Sequence, residues 1–188
     1  MMLNTIEVKH IVEAALLVAE QPLTLMQLKQ LFEDTADGAA VDVPAALAAL
    51  AQDYASRGIE LKQVASGYRI QASAAMAPWL TKLHAEKPPK YSRAVLETLV
   101  LIAYRQPITR AEIEEIRGVS ASGPIIKTLL DRNWVRVVGH REVPGRPALL
   151  ATTPAFLDYF NLQTLDALPT LMEIQCLIPK VEEAVASI

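Results

Sequence analysis

Four residues, Gln21-Pro22-Leu23-Thr24, return as Gln106-Pro107-Ile108-Thr109 at an offset of 85 positions. In each copy the proline bars the residue before it from helical geometry, and the threonine hydroxyl caps the helix that follows. Apolar positions fall into step at the same offset: Leu16 with Leu101, Leu28 with Ile113, Leu31 with Ile116. Pro44 and Pro124 correspond at an offset of 80. A helix, a break and a capped helix that recur in this way point to two similarly built halves in tandem. The 188 residues allow one medium domain or two small ones, and the repeat favours two of roughly 75 residues each.

The first copy reads as three helices. Residues 6–20 place Ile11, Ala15 and Val18 on one face, with Ala14 and Leu17 beside it. Thr5 is the expected cap, and Val8 stands where a capping box would have glutamate. Thr24 caps a second helix, LMQLKQLF, with Leu25, Leu28 and Leu31 inward. A loop over 34–42 ends at Asp42, the cap of a third helix over 43–56 with Pro44 in its first turn. Val43, Leu47, Leu50 and Tyr54 are spaced for a core. Arg57-Gly58 stops the helix, and strands IELKQVA and YRIQAS alternate around a Ser66-Gly67 turn. Three helices and a β-hairpin are the order of a winged helix, the hairpin being the wing.

Residues 74–83 predict a connecting helix with Trp79 as its packing anchor. The charged stretch 84–91, stiffened by Pro88-Pro89, is the boundary. Ser92 then caps RAVLETLVLIAYR. Thr109 caps RAEIEEIRG, where Glu112 completes a capping box and Gly118 ends the helix. Ser122-Gly123-Pro124 leads into IIKTLLDR, with Ser122 as a cap. WVRVV and ALLATT flank the turn Pro144-Gly145-Arg146-Pro147, and a short helix, FLDYFNL, follows Pro154. The expected fold class is α+β, mostly helical, with two tandem winged-helix domains. Their boundaries are 1–83 (connecting helix included), 84–91 for the linker, 92–162 for the second domain and 163–188 for a tail.

Little in this chain suggests catalysis. Its three histidines, His10, His84 and His140, fall on a polar helix side, in the linker and in the second wing. No sequence feature gathers them with Cys176 or an aspartate, as nucleophilic chemistry requires. A single cysteine rules out a disulfide framework and cysteine zinc sites. No phosphate loop or HExxH motif is present, and GHREVPGRP lies between two strands, so it reads as a wing turn. Cofactors and metals are therefore not expected. No apolar run reaches the roughly 18 residues of a membrane span. Glu7, Lys9 and His10 stand where a leader's apolar core would be. The expected setting is the cytoplasm.

Charge separates the halves. Residues 1–85 carry 6 basic and 9 acidic side chains, residues 86–146 carry 11 and 7, and residues 147–188 carry 1 and 5. The third helix of the first copy presents alanines where a DNA reader needs Arg, Lys, Asn or Gln. Residues 43–55 and the first helix are thus candidates for a homodimer interface, with Ile11, Ala15, Leu47, Leu50 and Tyr54 as its residues. In the second copy Lys127, Arg132, Arg136, Arg141 and Arg146 cluster with His140. This face offers phosphate contacts, a seat for an acidic partner helix, or a solvated surface. Trp134 is core at the strand start or, on an exposed edge, an interface anchor.

The second half is recognisable. Ala103-Tyr104-Arg105-Gln106-Pro107-Ile108-Thr109, Glu112-Ile113-Glu114, Ile116-Arg117-Gly118-Val119, the stretch Gly139 to Pro147, Thr152-Thr153, Phe156-Leu157 and Tyr159-Phe160 follow in order. Over about residues 6–171 the chain resembles the segregation and condensation protein B family. The resemblance implies two tandem winged-helix domains, a homodimer made largely by the N-terminal domains, and no catalysis. It further implies binding to the central segment of a kleisin, segregation and condensation protein A. That kleisin bridges the heads of an SMC ATPase in a complex that condenses and partitions bacterial chromosomes, which sets the protein at the nucleoid. Ser120-Ala121-Ser122-Gly123-Pro124 departs from the family's usual Asn-Ser-Asp-Gly, so any partner contact that relied on that carboxylate does not carry over to this chain from the resemblance. Arg132, Trp134, Arg136, Arg141, Arg146, Phe156, Tyr159 and Phe160 are the expected protein-binding residues, with a weak nonspecific DNA contact as a secondary role. The competing reading is a dimeric winged-helix transcriptional regulator, which requires a basic, polar third helix. Residues 44–56 fail that requirement, and 125–132 meet it weakly.

Overall fold

The structure, a computed structural model, describes residues 5–34, 41–83, 91–119 and 123–170. The loop at 35–40, the linker at 84–90, Ser122, Cys176 and the tail beyond 170 lie outside the described residues. The chain is a mixture of helix and sheet around two hydrophobic cores.

The N-terminal core is enclosed by α1 (Thr5–Val18), α2 (Leu25–Gln30), α3 (Val43–Tyr54) and the antiparallel hairpin β1 (Ile59–Val64) and β2 (Gly67–Ala72). Its inward face of α1 is Val8, Val12 and Leu16, all buried, with Ala15 partly buried beside them. The expected face of Ile11, Ala15 and Val18 is therefore corrected by one position. Val18 is 82% exposed and Ile11 lies at the margin. Helical spacing alone allows either apolar stripe, and packing of α1 on α3 selects the one that carries valine at both 8 and 12. Thr5 is the first helical residue and not the cap. On α2, Leu28 is buried but Leu31 is exposed, and Phe32 fills the core in its place. Asp42 caps α3 as expected, accepting from the Ala45 amide at 3.0 Å. Leu47, Leu50 and Tyr54 are buried in this core, so they are corrected from interface to interior. The Tyr54 hydroxyl donates to Glu13 Oε1 at 2.6 Å, and burial with that carboxylate raises its pKa to about 12.

Gly67 starts β2 with φ of 138°, and a Cβ there would meet the Leu23 carbonyl oxygen at 2.2 Å. That close approach lets Leu23, in the Gln-Pro-x-Thr junction, bridge to Tyr68. After the hairpin the chain makes a 3-10 turn (Ala74–Met76) and the short α4 (Ala77–Leu80). Trp79 is 62% exposed and anchors no core among the described residues, because the four-residue α4 buries no side chain there.

The C-terminal core is built by α5 (Arg93–Arg105), β3 (Ile108–Thr109), α6 (Arg110–Arg117), α7 (Gly123–Asp131), β4 (Val135–His140), β5 (Ala148–Thr152) and α8 (Pro154–Tyr159). The sheet order is β3-β5-β4, all antiparallel. β3 was not anticipated. It is the counterpart of the Leu23 bridge, made continuous by pairing Ile108 with Leu150 and Thr109 with Leu149. Gln106 secures it, its Oε1 accepting from the Thr152 amide at 2.6 Å. Val95, Leu99 and Ala103 of α5 are buried as Val8, Val12 and Leu16 are, at an offset of 87. The repeat is thus shorter by two residues between the first helix and the junction in the second copy.

The halves touch. The turn between β1 and β2 lies against the end of α8, where the Ala65 amide donates to the Leu162 carbonyl at 3.0 Å. The Ser66 amide donates to Asp158 Oδ1 at 3.0 Å. Arg69 Nη2 donates to the Asp158 carbonyl at 2.9 Å and to Asn161 Oδ1 at 2.8 Å.

Candidate protein-interaction site

The junction after α7 assembles an aromatic cluster. Asn133 turns the chain with φ of 54°, and the Trp134 amide donates back to Leu129 at 3.1 Å. Thr153 closes the unit from the other side. Its hydroxyl donates to the Asn133 carbonyl, its amide donates to Trp134, and its Oγ1 accepts from the Phe156 amide at the start of α8. Trp134 is thereby fixed among Tyr91 at 5.0 Å, Tyr159 at 4.6 Å and Phe160 at 5.6 Å between ring centroids. Phe156 lies 5.0 Å from Phe160. The tilted and edge-on arrangements suit the aromatic quadrupoles.

This cluster divides the expected binding residues. Trp134 is 3% exposed and Phe156 4% exposed, so both are corrected to supports under the surface. Tyr159 and Phe160 are 53% and 40% exposed and form the surface itself. Burial against its neighbours and a hydrogen bond with Tyr91 push the Tyr159 phenol upward in pKa. The Arg132 guanidinium sits 5.2 Å from the Tyr91 ring centroid, a cation over an aromatic face. Arg132 thus joins the aromatic pair.

The other expected cations are elsewhere. Arg141 reaches from the β4–β5 turn to Glu112 Oε1 at 2.7 Å. Glu112 is the capping glutamate of α6: its Oε2 accepts from the Thr109 amide and hydroxyl, both at 2.8 Å. Those two bonds and the Arg141 charge hold its carboxyl below the ordinary range. Arg146 pairs with Glu142 at 2.9 Å. Arg136 is exposed on β4. Arg141 and Arg146 are therefore each paired with a carboxylate, whereas Arg132 lies over the Tyr91 ring.

On the N-terminal side, Ile6, Leu17 and Val18 of α1 and Met26 and Leu31 near α2 are exposed apolar side chains. Ile11 is 37% exposed and Ala15 partly buried, so these two remain of the expected dimer residues.

A groove between α5 and α6, of about 700 Å³, was not anticipated. Leu96, Val100, Ile116 and Val119 line it, and Arg117 forms part of its wall. Arg117 bonds Glu97 Oε2 at 3.1 Å and Thr98 Oγ1 at 3.2 Å. Arg93 bonds the other Glu97 oxygen at 2.8 Å, and the two arginines lower the Glu97 pKa. The signal available in sequence was that LETLVLIAY is apolar on more than one face, which a helix with a single buried side does not need.

Among the described residues no group of three His, Cys, Asp or Glu side chains is placed to hold a metal ion. Among them, too, no helix is long and apolar enough to cross a membrane.

A family model described as "Segregation and condensation complex subunit ScpB" matches residues 10–171. A segregation and condensation protein B homolog of Coxiella burnetii is 51% identical over 172 residues, covering 92% of this chain and 82% of the relative. Segregation and condensation protein B of Syntrophotalea carbinolica is 44% identical, covering 91% of this chain and 85% of the relative. A crystal structure of ScpB from Mycobacterium tuberculosis is 35% identical, covering 85% of this chain and 98% of that one, with a TM-score of 0.39. A crystal structure described as a dimer of ScpB N-terminal domain complexed with ScpA peptide is 26% identical, covering 46% of this chain and all of that one, with a TM-score of 0.36.

Proposed function

The chain belongs to the segregation and condensation complex subunit ScpB family, and on that premise we propose that it is a non-catalytic accessory subunit of a bacterial SMC–kleisin complex. In this reading each half is a winged-helix domain, 1–83 and 92–162, joined by the linker 84–91 and followed by the tail 163–188. Two copies associate through the N-terminal domains, and the C-terminal domains receive the central segment of the kleisin ScpA, which links them to the SMC ATPase. The role is to support chromosome condensation and partition at the nucleoid, in the cytoplasm.

The family match across both cores carries this reading. The surfaces support it. Ile6, Ile11, Leu17 and Val18 are exposed on one side of α1, set among Glu7 and His10, and offer apolar area to a self-complementary dimer interface. Tyr159 and Phe160 stand on a rigid Trp134 base beside Arg132, the residue types that dominate protein-binding hot spots. The regulator reading gains nothing: the exposed positions of α3 are Pro44, Ala45, Ala48, Ala51, Gln52 and Asp53, a poor set for a DNA groove. A weak, nonspecific phosphate contact through the exposed Arg136 and Lys127 is a secondary role in this reading.

Light scattering and co-elution test the proposal. The expected result is a dimer that co-elutes with the kleisin's central segment, and a monomer for the Leu17→Asp/Val18→Asp variant. Tyr159→Ala with Phe160→Ala is expected to weaken kleisin binding by roughly thirtyfold or more, the scale of a lost hot spot. No kleisin binding, together with salt-resistant binding to one operator sequence, would overturn the reading in favour of a regulator.

A further inference from the structure

The helix α8 is short, Pro154–Tyr159, and carries the exposed pair Tyr159 and Phe160 at its C-terminal end. An isolated helix of that length is not stable in water, and the unpaired backbone groups at both of its ends need partners. The N-terminal end finds one within its own half, the Thr153 hydroxyl, which accepts from the Phe156 amide at 3.2 Å. The C-terminal end is held by the other half of the molecule.

There the β1–β2 hairpin grips the chain on both sides of the aromatic pair. Before the pair, the Asp158 carbonyl accepts from Arg69 Nη2 at 2.9 Å, and Asp158 Oδ1 accepts from the Ser66 amide at 3.0 Å. After it, Asn161 Oδ1 accepts from the same Arg69 nitrogen at 2.8 Å, and the Leu162 carbonyl accepts from the Ala65 amide at 3.0 Å. Asn161 stands in the left-handed region, with φ of 58°, so the chain turns directly after Phe160. A guanidinium on one of the last carbonyls of a helix is a cap, and its charge complements the negative end of the helix dipole. Arg69 is itself held in place. Its Nε donates to Gln71 Oε1 at 3.1 Å, and Gln71 Nε2 donates across the hairpin to Glu60 Oε1 at 2.7 Å.

We propose that Arg69 is a positioning residue for the Tyr159–Phe160 face: the N-terminal hairpin caps α8, so the partner surface of the C-terminal half is held in form by the N-terminal half. This rests on the reading of Tyr159 and Phe160 as a partner-binding face given above. By linkage, a partner seated on the pair strengthens the contact between the halves by the same factor that the contact strengthens partner binding.

The two tryptophans allow a test that needs no partner. Trp79→Phe leaves Trp134 as the sole indole, and Trp134 lies against Tyr159 and Phe160 at 4.6 Å and 5.6 Å between ring centroids. In the full chain with that background, Arg69→Ala is expected to move Trp134 emission to longer wavelength and to make it more open to quenching by acrylamide. Asp158→Ala, which deletes the acceptor of the Ser66 amide and leaves β2 as it is, is expected to act in the same direction. Denaturation curves check that the variants compared are folded. Unchanged Trp134 emission and quenching in a folded variant overturn the proposal. Affinity for the kleisin's central segment is the second readout. Arg69→Ala is expected to weaken it about fivefold or more, and to add nothing once Tyr159→Ala and Phe160→Ala are already present. An equal loss in both backgrounds overturns the positioning role, because Arg69 would then act independently of the pair. A parent chain that binds no kleisin segment sinks the function proposed above, and the fluorescence result alone then decides whether Arg69 positions the pair.

Discussion

The two Gln-Pro-x-Thr junctions share their architecture and differ in charge. Thr24 and Gln27 close a neutral capping box, with the Thr24 amide donating to Gln27 Oε1 at 2.9 Å. Thr109 and Glu112 close an ionised one, braced by Arg141 from the hairpin turn. Gln21 is exposed, whereas Gln106 is drawn in to hold β5. Leu28 and Ile113 are both fully buried at equivalent positions, while Leu31 and Ile116 are both about half exposed, at 49% and 51%. The same scaffold thus recurs with the same inside, and its surfaces have diverged. The N-terminal half keeps exposed apolar side chains on α1, and the C-terminal half carries an aromatic face, a groove and most of the cations. In such a repeat the core records the common plan, and electrostatics and exposed apolar groups record the separate jobs.

The largest test of this comparison is truncation at the equivalent core positions. Leu28→Ala and Ile113→Ala are each expected to cost about 2–5 kcal/mol. Hydrogen exchange should show the loss of protection concentrated in the half that carries the mutation. Equal loss in both halves from either variant would mean one cooperative unit and would break the comparison.

Next is the contact between halves. Arg69→Ala removes the bonds to the Asp158 carbonyl and Asn161, and is expected to cost about 1–2 kcal/mol. Calorimetry should then show the unfolding of the two halves pulling apart. A single sharp transition, unchanged in shape, would show that this contact does not couple them.

The caps sharpen the comparison further. Thr109→Ala is expected to cost about 1–2 kcal/mol and Thr24→Ala about 0.5–1 kcal/mol, because the hydroxyl lost at 109 donates to a carboxylate, which keeps the Thr109 amide and Arg141, and the one lost at 24 donates to a neutral amide oxygen. Chemical denaturation of the two variants measures the order, and a larger loss at Thr24 would reverse it.

The pH response is the smallest effect. The Glu112 carboxyl is held below its ordinary range in the folded chain. Its contribution is full above the unfolded value of about 4.3 and is lost as pH falls through the folded value. Gln27 does not titrate. Between neutral pH and about pH 3, α6 should therefore lose amide protection faster than α2, and Glu112→Gln should flatten that difference. Equal acid sensitivity of the two helices in the parent chain would contradict it.

Much of the plan was legible because caps and breaks are local. Asp42, Ser92, Thr24 and Thr109 act within three residues of themselves, so their hydrogen bonds follow from the sequence. The face of α1 was not legible. Ile11, Ala15 and Val18 form as good an apolar stripe as Val8, Val12 and Leu16, and only contact with α3 decides between them. Nor did an aromatic residue declare its place. Trp79 and Trp134 are the same residue type in apolar surroundings, but one stands on a four-residue helix and the other is enclosed by Tyr91, Tyr159 and Phe160.

Sequence by itself determined that this chain repeats a helix–break–capped-helix unit, where those units begin, and which family the chain resembles. These properties rest on near neighbours and on spacing, which survive without a third dimension. Tertiary structure alone decided which cations are already engaged, which aromatics stay at the surface, and that α5 and α6 leave an apolar groove beside the end of the described chain. Each of those depends on groups dozens of positions apart, such as Arg141 with Glu112 or Tyr104 with Pro169, whose approach is set by the packing of two cores and not by local preference.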